Sequence, residues 1–269
     1  MTQGLSNLPI IPSSRDVFPN VEIKGGVSYF LWQESYSGLC SVVSCRGKHK
    51  SYPVCRLLNE YDIFVRDSNS IGILKKVLEH NEVSITDILS VNKEFGWTSN
   101  FEGFNKDSNA EEIPLYYNRK SNRLIGSIAR SEVSKSRHLI DTWKVMVPKA
   151  GSDGGARIPD IVLSKNFVAP CPSVCTQTYL FFYTDTENKA LNISKYVCTR
   201  FLRFLVSLRK MTQDATKATY TWVPLQDFTS SSDIDWSKPI ADIDRQLYAK
   251  YHLTSDEITF IEKMIKPME

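Results

Sequence analysis

The acidic and basic residues near the amino terminus contain one pattern that is typical of metal-dependent hydrolysis. Asp16 precedes a Glu-x-Lys pair formed by Glu22 and Lys24. Carboxylates of this kind bind a divalent ion, and the neighbouring lysine orients the water that the ion activates. The pattern is short, and in a charged protein it also arises by chance on a solvated strand edge. A metal-dependent nuclease that uses these three residues is therefore one hypothesis.

Other catalytic and metal-binding patterns are absent from the sequence. The four histidines have no i,i+4 spacing, and the six cysteines include no Cys-x-x-Cys motif. Cys171 and Cys175 have no matching second pair, so the spacing argues against a zinc site. The sequence also has no Gly-x-Ser-x-Gly nucleophile motif and no Walker phosphate loop.

Composition is that of a globular protein. The chain has 269 residues, of which 42% are hydrophobic and 23% are charged, and this excludes disordered and collagen-like classes. The formal net charge of +3 is too small to indicate a nucleic-acid partner by itself. No apolar run is long enough for a bilayer span, and the first residues lack the order of a secretory signal. We therefore expect a cytoplasmic protein with reduced cysteines.

Hydrophobic periodicity predicts the main helices and a first pair of strands. Residues 27–32 and 39–43 are β-rich and flank turn residues, which predicts a hairpin. Apolar residues at helical spacing predict one long helix over 187–210. Three shorter helices are predicted at 71–80, 242–251 and 256–265, the last beginning at a capping box of Thr254 and Glu257.

Two segments have the composition of functional loops. Residues 93–113 are polar, aromatic and glycine-containing, and residues 149–157 form a glycine-rich stretch with a basic residue at each end. Between them, a helix is predicted around 131–141. A strand rich in Thr, Tyr and Phe is predicted at 175–183.

Six segments of the sequence, taken in order, carry a resemblance to a known family. They are DVFPNVEIKGGVSYFLW (16–32), FGWTSNF (95–101), TQTYL (176–180), TRFLRFL (199–205) with Arg209 and Lys210, VPLQDF (223–228) and LYAKY (247–251). They resemble segments of adenine-specific DNA methyltransferases of restriction-modification systems, of the type II or IIG kind. The resemblance extends from about Ser13 onward. Its specificity lies in the order and spacing of the segments together.

The resemblance implies only part of such an enzyme. In that family an amino-terminal Rossmann-like domain binds S-adenosylmethionine, and an Asn-Pro-Pro-Tyr segment holds the flipped adenine. This sequence has neither an Asn-Pro-Pro motif nor a glycine-rich cofactor loop after a first strand. The implied fold is α+β: residues 1–60 form the terminal strands of a Rossmann-like methyltransferase sheet, and residues 61–269 form a mixed α/β target-recognition domain. No cofactor is expected in this chain, because S-adenosylmethionine would bind a missing amino-terminal portion.

A target-recognition role assigns tasks to particular side chains. Basic groups hold phosphates, and amide, guanidinium or hydroxyl groups read base edges. For each charged candidate the alternative is a solvated surface charge, and for the tryptophan, which would stack on or wedge between bases, it is a core position. The candidates are Lys93, Trp97, Thr98, Asn100, Arg119, Lys120, Arg123, Lys144, Lys149 and Arg157.

The sequence therefore favours sequence-specific recognition of double-stranded DNA without independent catalysis. The expected partners are duplex DNA and a separate methyltransferase or restriction subunit, with no membrane association. The nuclease hypothesis is the alternative, and a truncated, inactive remnant is a third.

Overall fold

The computed structural model describes residues 5–11, 17–20, 27–46, 49–107, 111–120, 122–152 and 158–268. In these residues the chain has an α+β fold, with strands in three sheets and five α-helices. None of the described helices has both the length and the apolar content that a membrane crossing requires.

The first sheet is built from the amino-terminal strands. They are β1 (Leu5–Ile11), β2 (Val27–Ser28), β3 (Leu31–Trp32), β4 (Cys40–Arg46), β5 (His49–Lys50) and β6 (Val54–Arg56). The predicted hairpin between 27–32 and 39–43 is wrong, because β1 pairs with β2 and β3 on one side and with β4 on the other. Only β1 and β4 are parallel among the described pairs of this sheet, so it does not confirm a Rossmann-like sheet.

A second sheet forms the centre of the molecule. In spatial order its strands are β10 (Phe167–Ala169), β9 (Trp143–Pro148) and β12 (Tyr179–Thr184), all antiparallel. Successive side chains of a strand point to opposite faces. In β9, Val145 and Val147 pack into the core beneath the helices, while Met146 packs into a second core on the other face. The central sheet is therefore buried on both faces.

The third sheet covers the second core. It consists of β7 (Ile113–Arg119), β8 (Asn122–Ile128) and β11 (Val174–Cys175), with β7 in the middle. An aromatic loop, residues 95–107, packs against β8, and Asn105 pairs with Ser127 there. Gly126 permits this contact, because an added Cβ would lie 2.6 Å from both the Asn105 carbonyl oxygen and the Phe104 ring. The predicted strand at 175–183 is divided between β11 and β12.

Five α-helices pack on the other face of the central sheet. They are α1 (Ser70–Glu79), α2 (Glu187–Cys198), α3 (Arg200–Arg209), α4 (Ile240–Lys250) and α5 (Ser255–Met264). The predictions for α1, α4 and α5 are confirmed, including the capping box of Thr254 and Glu257. The helix predicted around 131–141 is wrong, since that segment forms two 3₁₀ turns, Arg130–Glu132 and Arg137–Leu139.

The predicted single helix over 187–210 is also wrong, because the chain leaves the helical conformation at Thr199. This residue has an extended backbone (φ −64°, ψ 148°), and its hydroxyl accepts a hydrogen bond from the Leu202 N–H. The buried Asp244 carboxylate of α4 accepts the N–H groups of Arg200 and Phe201, each at 3.0 Å. Side chains thus satisfy the first donors of α3, and a second helix begins there.

Burial of Asp244 predicts a particular pH dependence of stability. Burial raises its pKa to about 6 despite the two backbone hydrogen bonds. The folded state therefore keeps a proton that the unfolded chain has already released, and stability falls as pH rises from about 4 to about 6. Asp244→Asn removes this titration but keeps an oxygen acceptor for α3. The free energy of unfolding of the wild type, measured relative to Asp244→Asn by chemical denaturation, should fall by roughly 2–3 kcal/mol between pH 4 and pH 7. Parallel pH profiles would contradict this assignment.

Candidate nucleic-acid interface

A cleft of about 810 Å³ lies where β7, β9, β10 and β12 bring their ends together. We call it the basic cleft. Its lining comes from the end of β7 and the start of β8, the end of β9, the start of β10 with the segment before it, the start of β12 with the segment before it, the aromatic loop, and the segment after α3. The lining residues are Ser99, Asn118, Arg123, Pro148, Lys149, Ala150, Ser164, Lys165, Asn166, Phe167, Gln177, Thr178, Tyr179 and Asp214.

Hydrogen bonds of the segment before β12 hold these elements in place. The Thr178 carbonyl accepts the Lys149 N–H at 2.9 Å, and the Thr178 hydroxyl accepts the Asn118 N–H at 3.0 Å. The Gln177 N–H donates to the Trp97 carbonyl at 3.0 Å. The walls of the basic cleft are therefore fixed to the strand ends of a sheet that is buried on both faces.

Three cations line the basic cleft, against one carboxylate. The Lys149 ammonium lies 3.4 Å from the Asp214 carboxylate. The Arg123 guanidinium lies 4.4 Å from the centre of the Phe167 ring. Arg123 and Lys165 are exposed, and neither forms an ion pair with a residue in the part of the chain that the structure describes. The cleft lining thus carries three positive charges and one negative charge, and this excess of two positive charges favours an anionic ligand.

Three amide side chains also line the basic cleft, and they differ in how many of their hydrogen-bonding groups have a partner. Asn166 is buried, and both ends of its amide bond to neighbours: its Nδ2 donates to the Ser194 carbonyl, and its Oδ1 accepts from the Ser194 hydroxyl. Asn118 hydrogen-bonds the Tyr179 hydroxyl, and this bond opposes the rise in the pKa of Tyr179 that burial causes. Gln177 is half-buried and donates one hydrogen bond, to the Ser99 hydroxyl at 3.2 Å.

The predicted residues of the aromatic loop divide into packed and exposed ones. Trp97 stacks on Phe101 with ring centres 5.1 Å apart, and on Phe95 at 6.1 Å, so its ring packs against the second core. Thr98 and Asn100 are exposed on either side of Ser99, which lines the basic cleft. Lys93 is exposed in a turn with φ 59° and does not line the cleft.

The predicted residues of the basic segment lie at the turn between β7 and β8. Lys120 is exposed in this turn, with φ 50°. Arg119 forms an ion pair with Glu102 at 2.7 Å, and its guanidinium lies 5.8 Å from the Tyr117 ring centre. Arg123, the third of them, reaches the basic cleft.

Lys144 lies in the interior, away from the basic cleft. It is fully buried, and its ammonium donates to the carbonyls of Ile140 at 3.2 Å and Thr142 at 2.8 Å. In this position it binds protein carbonyls instead of facing solvent, so we leave it out of the proposed interface.

Arg157 lies outside the described residues, as do Asp16, Glu22 and Lys24 of the nuclease hypothesis. Within the described parts of the chain, no group of three or more His, Cys, Asp or Glu side chains is arranged to hold a metal ion.

Several cleft residues were not among the DNA-binding candidates that the sequence selected. Gln177 and Phe167 are uncharged residues in or beside strand-like runs, and Lys165 resembles any surface lysine. Only the interruption of the strand at Gln177–Thr178, between β11 and β12, turns the glutamine toward the cleft instead of into a sheet.

The comparison with solved structures gives a distant likeness to a restriction enzyme. No protein-family model matches the sequence, and none of the curated proteins matches it. Among solved structures, the chain is similar to the type IIG restriction endonuclease BpuSI, with 10% sequence identity and a TM-score of 0.41, over 96% of this chain and 42% of that enzyme's chain. The chain thus spans less than half the length of BpuSI. At this level the likeness decides neither family nor function.

The interior position of Lys144 predicts a rise of stability at alkaline pH. Burial lowers its pKa to about 8, so between pH 8 and pH 10 the unfolded chain binds a proton that the folded state has lost. Stability therefore rises with pH in this interval. Relative to Lys144→Met, which cannot titrate, the wild type should gain roughly 2 kcal/mol in the free energy of unfolding between pH 8 and pH 10. An unchanged difference between the two proteins across this range would place the ammonium in contact with solvent.

Proposed function

We propose that this chain binds DNA and that the basic cleft with its rim is the contact surface. The observation that carries the proposal is the joint presence of Arg123, Lys149 and Lys165 with amide and hydroxyl groups around one cleft. Cations supply phosphate contacts, and amides with hydroxyls supply contacts to bases. The exposed Thr98, Asn100 and Lys120 extend the same chemistry beyond the cleft.

The charge distribution supports a polyanion rather than a single small anion. Neither Arg123 nor Lys165 forms an ion pair with a carboxylate of the described residues. The two residues lie on different segments of the lining. Cations spread over a surface match a repeated phosphate backbone, whereas a small anion needs donors that converge on one point.

The finer role that we propose is the specificity portion of an adenine-specific restriction-modification methyltransferase. Its support is the ordered series of resembling segments in the sequence. In this proposal residues 61–269 recognise the duplex, residues 1–60 belong to the methyltransferase-type part, and a separate subunit supplies S-adenosylmethionine binding and methyl transfer.

Salt dependence of duplex binding tests the proposed surface. Each phosphate contact releases counterions, so log affinity should fall with log salt by about 0.9 per contact. Arg123→Ala, Lys149→Ala and Lys165→Ala should each weaken binding several-fold and reduce this slope by about one. The measurement is a fluorescence anisotropy titration of a labelled duplex between 50 and 200 mM salt.

Two variants serve as controls for this titration. Lys75→Ala removes an exposed lysine of α1, outside the basic cleft, and Lys144→Met removes a buried one. Both should retain the wild-type affinity and slope. Absence of duplex binding at low salt would overturn the proposal, and an equal loss in Lys75→Ala would show that the contact is not made by the cleft.

A further inference from the structure

We propose, on the basis of the proposed DNA-binding function, that the basic cleft holds one unpaired nucleotide and that Gln177 reads its base. The cleft is a recess and not a ridge, and its volume of about 810 Å³ lies within the range of about 300–1,000 Å³ that small-ligand sites occupy. A recess of this size accommodates a single nucleotide, whereas a base pair within a duplex cannot enter it.

The unsatisfied groups of Gln177 fit the edge of an unpaired base. Its Nε2 gives one hydrogen to Ser99, and its side chain makes no other hydrogen bond to the described residues. One N–H donor and the Oε1 acceptor of the amide therefore remain available to a ligand. Every base carries a donor next to an acceptor on its Watson–Crick edge, and proteins read this edge in unpaired nucleotides. In a duplex the complementary strand already occupies it.

Gln177 is a cleft amide whose groups are both oriented and available. Asn166 is saturated by Ser194, and Asn118 is engaged with the Tyr179 hydroxyl. The backbone of Gln177 is anchored to Trp97, and its side chain to Ser99. This double attachment orients the amide before any ligand binds, which lowers the entropy cost of recognition.

The Arg123–Phe167 pair supplies a stacking surface on the lining of the same cleft. The guanidinium lies 4.4 Å from the ring centre, and the ring itself is supported by Tyr116 and Tyr179, whose ring centres are 5.3 and 5.6 Å away. Unpaired bases stack on aromatic rings and on guanidinium planes. Lys149 and Lys165 lie on the same lining and are suited to the flanking phosphates.

The test compares duplexes that differ only in an unpaired nucleotide. Anisotropy titrations use one fully paired duplex, the same duplex with a single-nucleotide bulge, and the same duplex with a single-nucleotide overhang. We expect wild-type protein to bind the bulged or the overhanging duplex about tenfold more tightly than the paired one, because base contacts and stacking are added to the phosphate contacts. A preference for the bulge identifies an internal unpaired base as the ligand, and a preference for the overhang identifies a strand end.

Gln177→Ala should reduce this preference for the unpaired nucleotide to less than threefold, and its salt slope on the paired duplex should equal that of the wild type because the substitution removes no charge. Gln33→Ala, which removes an exposed amide outside the cleft, is the matched control and should keep the preference. Arg123→Lys keeps the charge but loses the planar guanidinium, so it should also lower the preference while leaving the salt slope unchanged. This second variant tests the cleft independently of how well Gln177→Ala folds.

Two outcomes would overturn the inference alone, and a third would show that the proposed function itself fails. Salt-dependent binding of the paired duplex with no preference for either unpaired form would leave DNA binding intact and exclude the nucleotide site. A full preference in both Gln177→Ala and Arg123→Lys would also exclude it. Absence of binding to all three duplexes at low salt would overturn the DNA-binding function itself.

Discussion

The burial of the central sheet on both faces is the constraint on which the rest of the structure depends. Val145 and Val147 of β9 face the helical core, and Met146 faces the second core. A shift of one residue in register would exchange these faces and place every side chain in the wrong layer. The register is therefore fixed, and so are the positions at which β9, β10 and β12 begin and end. The basic cleft lies at these ends, and its geometry follows from the packing of the sheet.

The charged residues of the fold divide into those that build it and those available for a ligand. Lys144 and Asp244 are buried, and each satisfies backbone groups that the strand and helix ends leave open. Arg203 is also fully buried and donates to the carbonyls of Cys198 and Thr199 at the junction of α2 and α3. Arg123 and Lys165 are exposed in or beside the cleft. The net charge of the chain does not indicate this division, because buried and exposed charged residues contribute equally to it.

Local signals in the sequence predicted the elements whose formation depends on residues close together in the chain. The helices α1, α4 and α5 follow from the apolar spacing within each helix, and α5 also follows from its capping box. The break at Thr199 could not be predicted in this way, since the apolar stripe runs through it and Asp244, which satisfies the new helix start, is distant in sequence. The hairpin prediction failed for a related reason: β1, which lies outside the predicted segments, provides the partners for β2, β3 and β4.

The same reasoning explains how much of the candidate site could be predicted. Charge and loop composition selected Arg123 and Lys149, which line the cleft, but equally selected Lys144, which is buried. Lys144 and Lys149 lie near opposite ends of β9. No property of the sequence distinguishes a lysine that donates to buried carbonyls from one that lines a solvent-accessible cleft. Gln177 is neutral and is surrounded by β-forming residues. Its position in the cleft becomes visible only once the strands are in place.

The attachment of Gln177 to the aromatic loop has an evolutionary consequence. Trp97 accepts the backbone N–H of Gln177, and Ser99 accepts its side-chain N–H. Any exchange of this loop alters the cleft wall and the orientation of the amide at once. The two features cannot drift separately, because the aromatic loop carries the groups that hold Gln177.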